Sequence, residues 1–160
     1  MSLDYPNHNE KAASNSDLKI ALICARYNIE LANQLLNNTT EALNTLNVRK
    51  IKTNRVPGSA ELPFAVSLIS LNSNFDAIIA LGVIIAGKTN HHSIIAHSNA
   101  LAFHQIATER NIPIINGTIV TNSKDEAIER CNGKINRGKE FAEAAIEIAK
   151  LKNRWTQKTK

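Results

Sequence analysis

Residues 76–96, DAIIALGVIIAGKTNHHSIIA, join a long apolar run directly to a polar segment that opens a helix. The apolar part, 76–85, holds almost no polar side chain and therefore predicts a strand buried on both faces. A long helix from about Asn90 to Arg110 is predicted by apolar residues at helical spacing. Those residues are Ile94, Ile95, Leu101, Ala102 and Ile106. A buried strand that leads straight into a helix is typical of parallel α/β sheets.

The same alternation of strand and helix extends along the rest of the chain. Three further strands are predicted from short apolar segments, one of them at a sheet edge because its apolar and polar residues alternate. The strands are 19–25, 48–56 (the edge strand) and 113–120, and the helices are 28–47, from about Ala60, 123–131 and 137–152. The pattern predicts an α/β domain with a central, mainly four-stranded parallel sheet between two layers of helices.

Polar and turn-forming residues collect where the predicted strands end. These positions are 26–28, 57–61, 86–91 and 116–121. In open α/β sheets, ligands bind beyond the carboxyl ends of the strands. We therefore expect one rim of the sheet to carry the functional site.

Gly82, Gly87, Lys88 and Thr89 match the phosphate-loop pattern of nucleotide hydrolases. The residues between the two glycines are Val, Ile, Ile and Ala, which favour continuing the strand over curling into a loop. No second predicted strand ends in the Asp that such enzymes use for magnesium. We interpret Gly87-Lys88-Thr89 instead as the start of a helix, whose unpaired N–H groups suit a phosphate monoester. An ordinary capped junction is the alternative.

Four ionisable side chains near these positions are candidates for chemistry. His91, in the first turn of the predicted helix, can transfer protons near pH 7, and a hydrogen-bonded structural histidine is the alternative. Glu61 follows a Pro-Gly turn, where helix capping is the alternative to a binding role. Arg130 and Arg137 can each grip a phosphate through two donors, although a lone helical arginine is usually solvated.

The composition fits one domain with an aliphatic core, since 43% of the 160 residues are hydrophobic and only 4% aromatic. The formal charge is +5, but no cluster of basic and aromatic residues indicates a nucleic-acid partner. Cys24 and Cys131 form no C-x-x-C pair, which favours a reducing compartment. The closely spaced histidines match no familiar zinc-ligand set. They are His91, His92, His97 and His104.

The two ends of the chain are polar. Residues 1–17 lack the apolar core of a signal peptide and predict a flexible N-terminal arm. The folded domain is expected over 18–152, followed by a basic C-terminal tail at 153–160. No apolar run is long enough to span a bilayer, so we expect no membrane partner and a cytoplasmic location.

Five motifs, in order along the chain, resemble those of the 6,7-dimethyl-8-ribityllumazine synthase family. They are ARYN, VPGSAELP, ALGVIIAGKTNHHSIIA, PIINGTIVTNSKDEAIER and NRGKEFAEAAIEIAKL. The resemblance runs from about Lys19 to Leu151. It implies a flavodoxin-like α/β sandwich that assembles as a homopentamer, and sometimes further into decamers or sixty-subunit shells.

The resemblance also implies a transferase reaction of riboflavin biosynthesis. In this family, 5-amino-6-(D-ribitylamino)uracil condenses with 3,4-dihydroxy-2-butanone 4-phosphate to give 6,7-dimethyl-8-ribityllumazine, phosphate and water. No metal or organic cofactor is implied. The implied partners are the two small-molecule substrates, further copies of the same chain, and riboflavin synthase.

The resemblance assigns roles to residues on the pyrimidine side of the site. The aromatic residue after the first strand is Tyr27, which is expected to stack on the pyrimidine ring. Ser59, Ala60 and Glu61 are expected to bind the ribityl chain and the ring, through backbone groups and the carboxylate.

Other residues are assigned to the phosphate. Its binding by main-chain N–H groups is expected at Gly87, Lys88 and Thr89. His91 is the expected proton-transfer residue. Asn116, placed at the end of the fourth strand, and Arg130 are expected to come from the neighbouring subunit, with Arg130 gripping the phosphate. Arg137 stands where the family usually has Lys and is also expected to bind substrate.

Four further positions depart from the family pattern. Ala86 replaces a frequent Arg, and Ala60 replaces a frequent aromatic residue. His92 and Ser93 stand where an aromatic and an acidic residue often follow the catalytic histidine. These departures leave an alternative open, a non-catalytic flavodoxin-like module that binds a lumazine, a flavin or phosphate.

Overall fold

The computed structural model describes residues 15–72 and 74–156, which form a four-stranded sheet between two helical layers. The strands are β1 (Lys19–Ala25), β2 (Lys50–Val56), β3 (Ala77–Ile85) and β4 (Ile114–Thr121). Their order in the sheet is β2-β1-β3-β4, and every neighbouring pair is parallel. This arrangement confirms the predicted three-layer, flavodoxin-like α/β sandwich and the edge position of β2.

The helices also lie close to where the periodicity predicts them. They are α1 (Ile29–Thr45), α2 (Leu62–Asn72), α3 (His91–Arg110), α4 (Lys124–Asn132) and α5 (Arg137–Thr156). A short 3-10 turn, Ser59–Glu61, precedes α2 and puts Pro63 in the first turn of that helix. Proline is tolerated there because the first helical N–H groups have no intrahelical acceptor.

The ends of the chain are described only in part. Residues 1–14 of the predicted arm and 157–160 of the predicted tail lie outside the described residues. Asn15, within the arm, donates from Nδ2 to the carbonyl oxygen of Leu46 at 2.6 Å. At the other end α5 continues through Thr156, and Asn153 donates to the Asp76 carboxylate at 3.0 Å. Residues 153–156, the first part of the predicted tail, therefore belong to α5.

The two helical layers cover opposite faces of the sheet. Along β1, Leu22 and Cys24 point into the layer formed by α1, α4 and α5. Ile23 points into the layer formed by α2 and α3, where it meets Leu62 and Phe103. The period of two along a strand explains this division, and burial on both faces explains why the central strands are almost entirely apolar.

The apolar face predicted for α3 is only partly correct. Ile94 and Leu101 are 64% and 60% exposed, whereas Asn99 and Phe103 are 1% and 2% exposed and face the sheet. Apolar residues occur all round this helix, so their spacing alone does not select the buried side. None of the described helices is both long and apolar enough to cross a membrane.

The strand order fixes where a ligand can enter. After β1 the chain passes into α1 on one face of the sheet, and after β3 it passes into α3 on the other. The two neighbouring strands therefore send their connections in opposite directions and leave a crevice at their carboxyl ends. Such switch points are the usual ligand sites of open α/β sheets.

Candidate active site

A cavity of about 450 Å³ opens at this switch point, where the loops after β1, β2 and β3 meet the start of α3. Seven of the eleven residues predicted for the site line this cavity. They are Tyr27, Ser59, Ala60, Glu61, Gly87, Thr89 and His91. The fold thus gathers these residues at one rim of the sheet, although their roles in binding stay predictions.

The corner between β1 and α1 presents Tyr27 to the cavity. The next residue, Asn28, has a left-handed backbone (φ 53°, ψ 51°), a conformation that asparagine adopts more readily than most residues. Its Nδ2 donates to the carbonyl oxygen of Val83 in β3 at 2.9 Å, which ties the corner to the central strand. The Tyr27 ring lies against Gly58, where an added Cβ would be 3.1 Å from ring atom Cδ2. One face of the cavity is therefore aromatic.

The 3-10 turn after β2 is held by contacts on three sides. The Gly58 N–H donates to Oε2 of Glu61 at 2.7 Å, so this carboxylate caps the turn. From α3, Asn99 donates through Nδ2 to the carbonyl oxygen of Ser59 at 2.8 Å. From β3, a Cβ at Gly82 would lie 2.5 Å from Oγ of Ser59, which only a glycine avoids. The turn therefore has a fixed position against both α3 and β3.

The segment that matches the nucleotide-loop pattern does not form such a loop. β3 continues from Gly82 through Ile85, which confirms that the intervening residues extend the strand. The Ala86 N–H then donates to the carbonyl oxygen of Thr121 at 2.8 Å, so pairing with β4 reaches one residue further. The backbone N–H groups of this stretch are therefore directed along the sheet, away from any enclosed phosphate.

The chain turns only at the junction between β3 and α3. Gly87 and Thr89 line the cavity here, just before the first turn of the helix. The first N–H groups of a helix have no intrahelical acceptor, and the helix dipole is positive at this end. An anion is therefore favoured at this point of the cavity. Lys88 is exposed and lies outside the lining, although its charge is adjacent in the chain.

Two histidines line the cavity beside this junction. His91 is exposed, and His92 is half-buried with Nδ1 3.0 Å from the carbonyl oxygen of Thr89. A carbonyl oxygen can only accept a hydrogen bond, so Nδ1 of His92 carries a proton and the neutral ring has its lone pair on Nε2. The cavity thus contains two imidazoles, one of which has its tautomer set by the backbone.

Asn116 is not where the sequence analysis placed it. It is the third residue of β4 and lies near the start of that strand, paired with Ala80, whereas the strand ends at Thr121. The strand predicted at 113–120 begins and ends one residue later in the structure. Five residues of extended strand span roughly 16 Å, so Asn116 is remote from the cavity of its own subunit. Its role at a neighbour's site stays a prediction.

The two predicted arginines also lie outside the cavity lining. Arg130, in the last turn of α4, donates to the backbone oxygen of Glu126 at 3.0 Å. Arg137, at the start of α5, is 13% exposed and pairs with the Glu140 carboxylate. Both side chains therefore have partners within the subunit, and Arg137 is the more enclosed of the two.

The cysteines lie away from this chemistry. Cys24 and Cys131 are free, fully buried thiols in the layer of α1, α4 and α5. Burial raises the pKa of both, that of Cys131 to about 11, so neither is an available nucleophile at neutral pH. Within residues 15–72 and 74–156, no group of three or more His, Cys, Asp or Glu side chains is arranged to share a metal ion.

Fold and cavity together define a flavodoxin-like α/β protein with a cavity at its switch point, where such folds usually bind ligands. A sequence model of the 6,7-dimethyl-8-ribityllumazine synthase family matches residues 17–153. The chain therefore belongs to the 6,7-dimethyl-8-ribityllumazine synthase family, which confirms the resemblance found in its motifs.

Individual relatives agree with this assignment, and each carries the name 6,7-dimethyl-8-ribityllumazine synthase. The protein of Nitrosomonas europaea is 38% identical over 154 residues, which cover 93% of this chain and 92% of the relative. The protein of Pyrococcus furiosus is 37% identical over 134 residues, covering 84% and 85%. That of Prochlorococcus marinus is 34% identical over 142 residues, covering 85% and 90%. The similarity thus spans nearly the whole of each protein.

Three residues near the cavity hold its backbone in place, a role that was not predicted from the sequence. Asn28 and Asn99 make hydrogen bonds to backbone carbonyls of distant segments, and His92 bonds the carbonyl of Thr89. Asn99 did carry a signal, because it is a polar residue between Ile95 and Phe103 on one helical face. A polar residue in that position needs a buried partner, but the sequence does not name the partner.

Proposed function

We propose that this chain condenses 5-amino-6-(D-ribitylamino)uracil with 3,4-dihydroxy-2-butanone 4-phosphate, giving 6,7-dimethyl-8-ribityllumazine, phosphate and water. Its family membership supports this activity. One observation carries the proposal: the same cavity contains an aromatic ring, an imidazole and the start of a helix, where an anion is favoured. These are the three groups that a planar heterocycle, a phosphate ester and a proton transfer require.

The pyrimidine substrate is assigned to the side of the cavity formed by β1 and β2. The exposed ring of Tyr27 offers a face for stacking on a heterocycle. Backbone groups of Ser59 and Ala60 and the carboxylate of Glu61 bind the ribityl chain and the ring. One oxygen of Glu61, Oε2, is engaged by the Gly58 N–H, and the other is the acceptor offered to substrate hydroxyl or N–H groups.

The butanone phosphate is assigned to the junction of β3 and α3. Main-chain N–H groups of Gly87, Lys88 and Thr89 hold the phosphate, helped by the helix dipole and the Lys88 charge. His91 lies in the next turn and transfers protons. This assignment gives the two substrates opposite sides of one cavity, with the imidazole between them.

The reaction needs little more than positioning and proton transfer. The 5-amino group attacks the ketone and water leaves, which gives an imine. Phosphate is then eliminated, which leaves a carbonyl group at the neighbouring carbon. The ribitylamino nitrogen adds to this carbonyl, and a second water leaves as the ring closes. Holding two reactants together supplies up to about 7–11 kcal/mol in favourable cases, and general acid–base catalysis supplies roughly 10²–10⁴-fold in rate. A cavity with one exposed imidazole is sufficient for such chemistry.

The complete site is proposed to include a neighbouring subunit of a homopentamer. Exposed apolar residues on the outer side of α2 and α3 support an assembly, because monomers rarely leave such surfaces uncovered. They are Phe64, Leu68, Leu71, Ile94 and Leu101. Asn116 and Arg130 lie outside their own cavity and are proposed to serve the neighbour's, with Arg130 on the phosphate. Arg137 is proposed to reach substrate once its Glu140 partner is displaced.

The remaining assignments concern the cell. We place the protein in the cytoplasm, since its two free thiols suit a reducing compartment. Riboflavin synthase is the proposed partner, because it consumes the lumazine that this reaction makes. Light scattering measures the mass of the assembly and so distinguishes a pentamer from a decamer or a sixty-subunit shell.

A direct assay tests the activity. Purified protein is mixed with both substrates, and lumazine formation is followed by absorbance and fluorescence against the uncatalysed reaction. Arg130→Ala is expected to weaken butanone phosphate binding about 10-fold or more, since it removes a charged hydrogen-bond donor. Arg110→Ala, an exposed arginine remote from the cavity, is the matched control. Unchanged affinity in Arg130→Ala removes that residue from the site.

The alternative of a non-catalytic module predicts a different result. In that case the protein binds the lumazine product or phosphate, but lumazine forms no faster than in buffer. Such an outcome would show that the replacements at Ala60, Ala86, His92 and Ser93 have removed catalysis from an otherwise intact fold.

A further inference from the structure

One face of α3 directs two side chains at backbone carbonyls of cavity-lining segments. The imidazole of His92 reaches the carbonyl oxygen of Thr89 (3.0 Å), and the amide of Asn99 reaches that of Ser59 (2.8 Å). The two side chains are seven residues apart, about two helical turns, so they project from the same face. Their targets, however, belong to two different segments of the cavity lining, the turn at Ser59 and the junction before α3.

We propose that His92 and Asn99 are positioning residues that hold the two halves of the substrate site independently. His92 fixes the junction that binds the phosphate, and Asn99 fixes the turn that binds the pyrimidine substrate. This inference rests on the proposed function, which assigns one substrate to each segment. Helix α3 then sets the distance between the two reactants.

The His92 bond acts on the anion site through a peptide plane. In a trans peptide, the carbonyl of Thr89 and the N–H of Asn90 point in opposite directions. Anchoring the Thr89 oxygen therefore aims the Asn90 N–H away from His92, as a further donor beside the N–H groups of Gly87, Lys88 and Thr89. Without the anchor this peptide can rotate, and its N–H no longer faces a bound anion for all of the time.

Direct contact of a neutral His92 with phosphate is a weaker explanation. The neutral ring has its proton on Nδ1 and a lone pair on Nε2, because Nδ1 donates to Thr89. A phosphate dianion offers only acceptors. Two acceptors repel, so a neutral His92 can help the anion only through Thr89 and not through Nε2.

Asn99 acts on the opposite side of the cavity. Its side chain is almost fully buried, and Ser59 is buried as well. Loss of the amide leaves the Ser59 carbonyl without this donor, in a place where water has little access. Ser59 is also pressed against Gly82, so the turn is held between α3 and β3. Releasing one of these two contacts allows the turn to shift relative to the rest of the cavity.

The first test uses His92 variants with each substrate varied in turn. His92→Phe keeps the ring shape but removes the donor, and we expect the KM for the butanone phosphate to rise about three- to tenfold. Binding of inorganic phosphate, measured by calorimetry, weakens by the same factor, while the KM for the pyrimidine substrate stays within about twofold. His92→Asn retains a donor near the Nδ1 position and restores both values. His104→Phe, an exposed histidine on α3 outside the cavity, is the control.

The second test is the reciprocal one. Asn99→Thr has nearly the same volume, and its hydroxyl can bond the carbonyl one turn earlier, as Thr39 and Thr108 do. We expect the KM for the pyrimidine substrate to rise about tenfold while phosphate binding is unchanged. Ser98→Ala, beside it on the exposed side, is the control. Thermal melts of each variant report whether the fold itself has changed.

The inference requires each variant to weaken a different ligand, His92→Phe the phosphate and Asn99→Thr the pyrimidine substrate. Equal weakening of both substrates in either variant, or a His92→Asn protein as impaired as His92→Phe, overturns the inference. If the unmodified protein forms no lumazine, the proposed function fails instead. Calorimetry with inorganic phosphate and with the pyrimidine substrate then still shows whether the two variants affect different ligands.

Discussion

The two helical layers differ in how much of their apolar surface is buried. The layer of α1, α4 and α5 buries a continuous cluster against one face of the sheet, and both helices α1 and α5 present clear apolar stripes to it. The layer of α2 and α3 has a smaller buried cluster and exposes apolar side chains on its outer side, half to three-quarters accessible. The first layer holds the larger core cluster, and we expect the outer side of the second layer to pack against another surface.

The cavity belongs to the second layer. Its histidines lie at the start of α3, and its 3-10 turn leads into α2. Function and assembly are therefore expected to depend on α2 and α3, while stability of the single chain depends mainly on α1, α4 and α5. Substitutions placed in one layer or the other can separate these properties.

The largest expected effect is loss of assembly from a charge in the second layer. Leu101→Glu and Phe64→Glu each put a carboxylate on a surface that must be desolvated when subunits associate. We expect light scattering to report dissociated subunits with unchanged far-ultraviolet circular dichroism. Ile148→Glu, on the outer side of α5, is the control that stays assembled. Intact oligomers in both second-layer variants would refute the contrast between the layers.

The next effect concerns catalysis without loss of stability. His91→Ala is expected to lower kcat by roughly 10²–10⁴-fold, because it removes the exposed imidazole but leaves the proximity of the substrates. The free energy of unfolding should change by less than about 0.5 kcal/mol, since the side chain is at the surface. Steady-state kinetics and urea unfolding check the two parts. Complete loss of turnover in a folded protein argues against the proximity account.

The third effect is loss of stability without loss of chemistry. Leu35 is fully buried in α1 and belongs to the first cluster. Leu35→Ala is expected to cost about 2–5 kcal/mol, from lost burial and the cavity left behind. The kcat of the protein that remains folded should be unchanged. Asn37→Ala, exposed on the same helix, is the control, and all unfolding curves are recorded at one protein concentration because assembly shifts the midpoint.

The smallest expected effect is a loss of stability at high pH that is caused by a thiol in the first layer. Burial raises the pKa of Cys131 from 9.0 to about 11, so the folded chain keeps this thiol neutral where the unfolded chain ionises it. Its contribution is complete below pH 9 and is lost as pH rises towards 11, with about 1 kcal/mol gone by pH 10. Cys131→Ala should therefore lose less stability between pH 8 and pH 10 than the unmodified protein does. Equal losses in urea unfolding would exclude this thiol as the cause.

The parts of the fold that the sequence predicts well are those set by local patterns. β3 is a run of apolar residues that no other element could accommodate, and its position is correct to one residue. Residues 82–89 match the phosphate-loop pattern but form no such loop, as predicted, because Val83, Ile84 and Ile85 favour a strand. The grouping of seven site residues followed from parallel strands, whose carboxyl ends must meet at one edge.

The parts that it predicts poorly depend on contacts between distant segments. The spacing of α3 places Asn99 on a face with Ile95 and Phe103, but it does not show that this face, rather than that of Leu101, is the buried one. Asn116 was placed at the wrong end of β4, since a strand and its terminal loop have similar compositions here. The hydrogen bonds of Asn28, His92 and Asn99 depend on geometry that no local pattern encodes.

The close approach of Gly82 to Ser59 has a consequence for how this family can diverge. A methyl group at position 82 meets Oγ of Ser59 at 2.5 Å, so Gly82→Ala requires the Ser59 side chain to move or residue 59 to become smaller. We therefore expect positions 59 and 82 to change together among relatives. A smaller residue at position 59 should come first, because it makes room for a larger residue at position 82. Taken in the reverse order, the first of the two changes would place a Cβ against the Ser59 hydroxyl and is expected to cost stability.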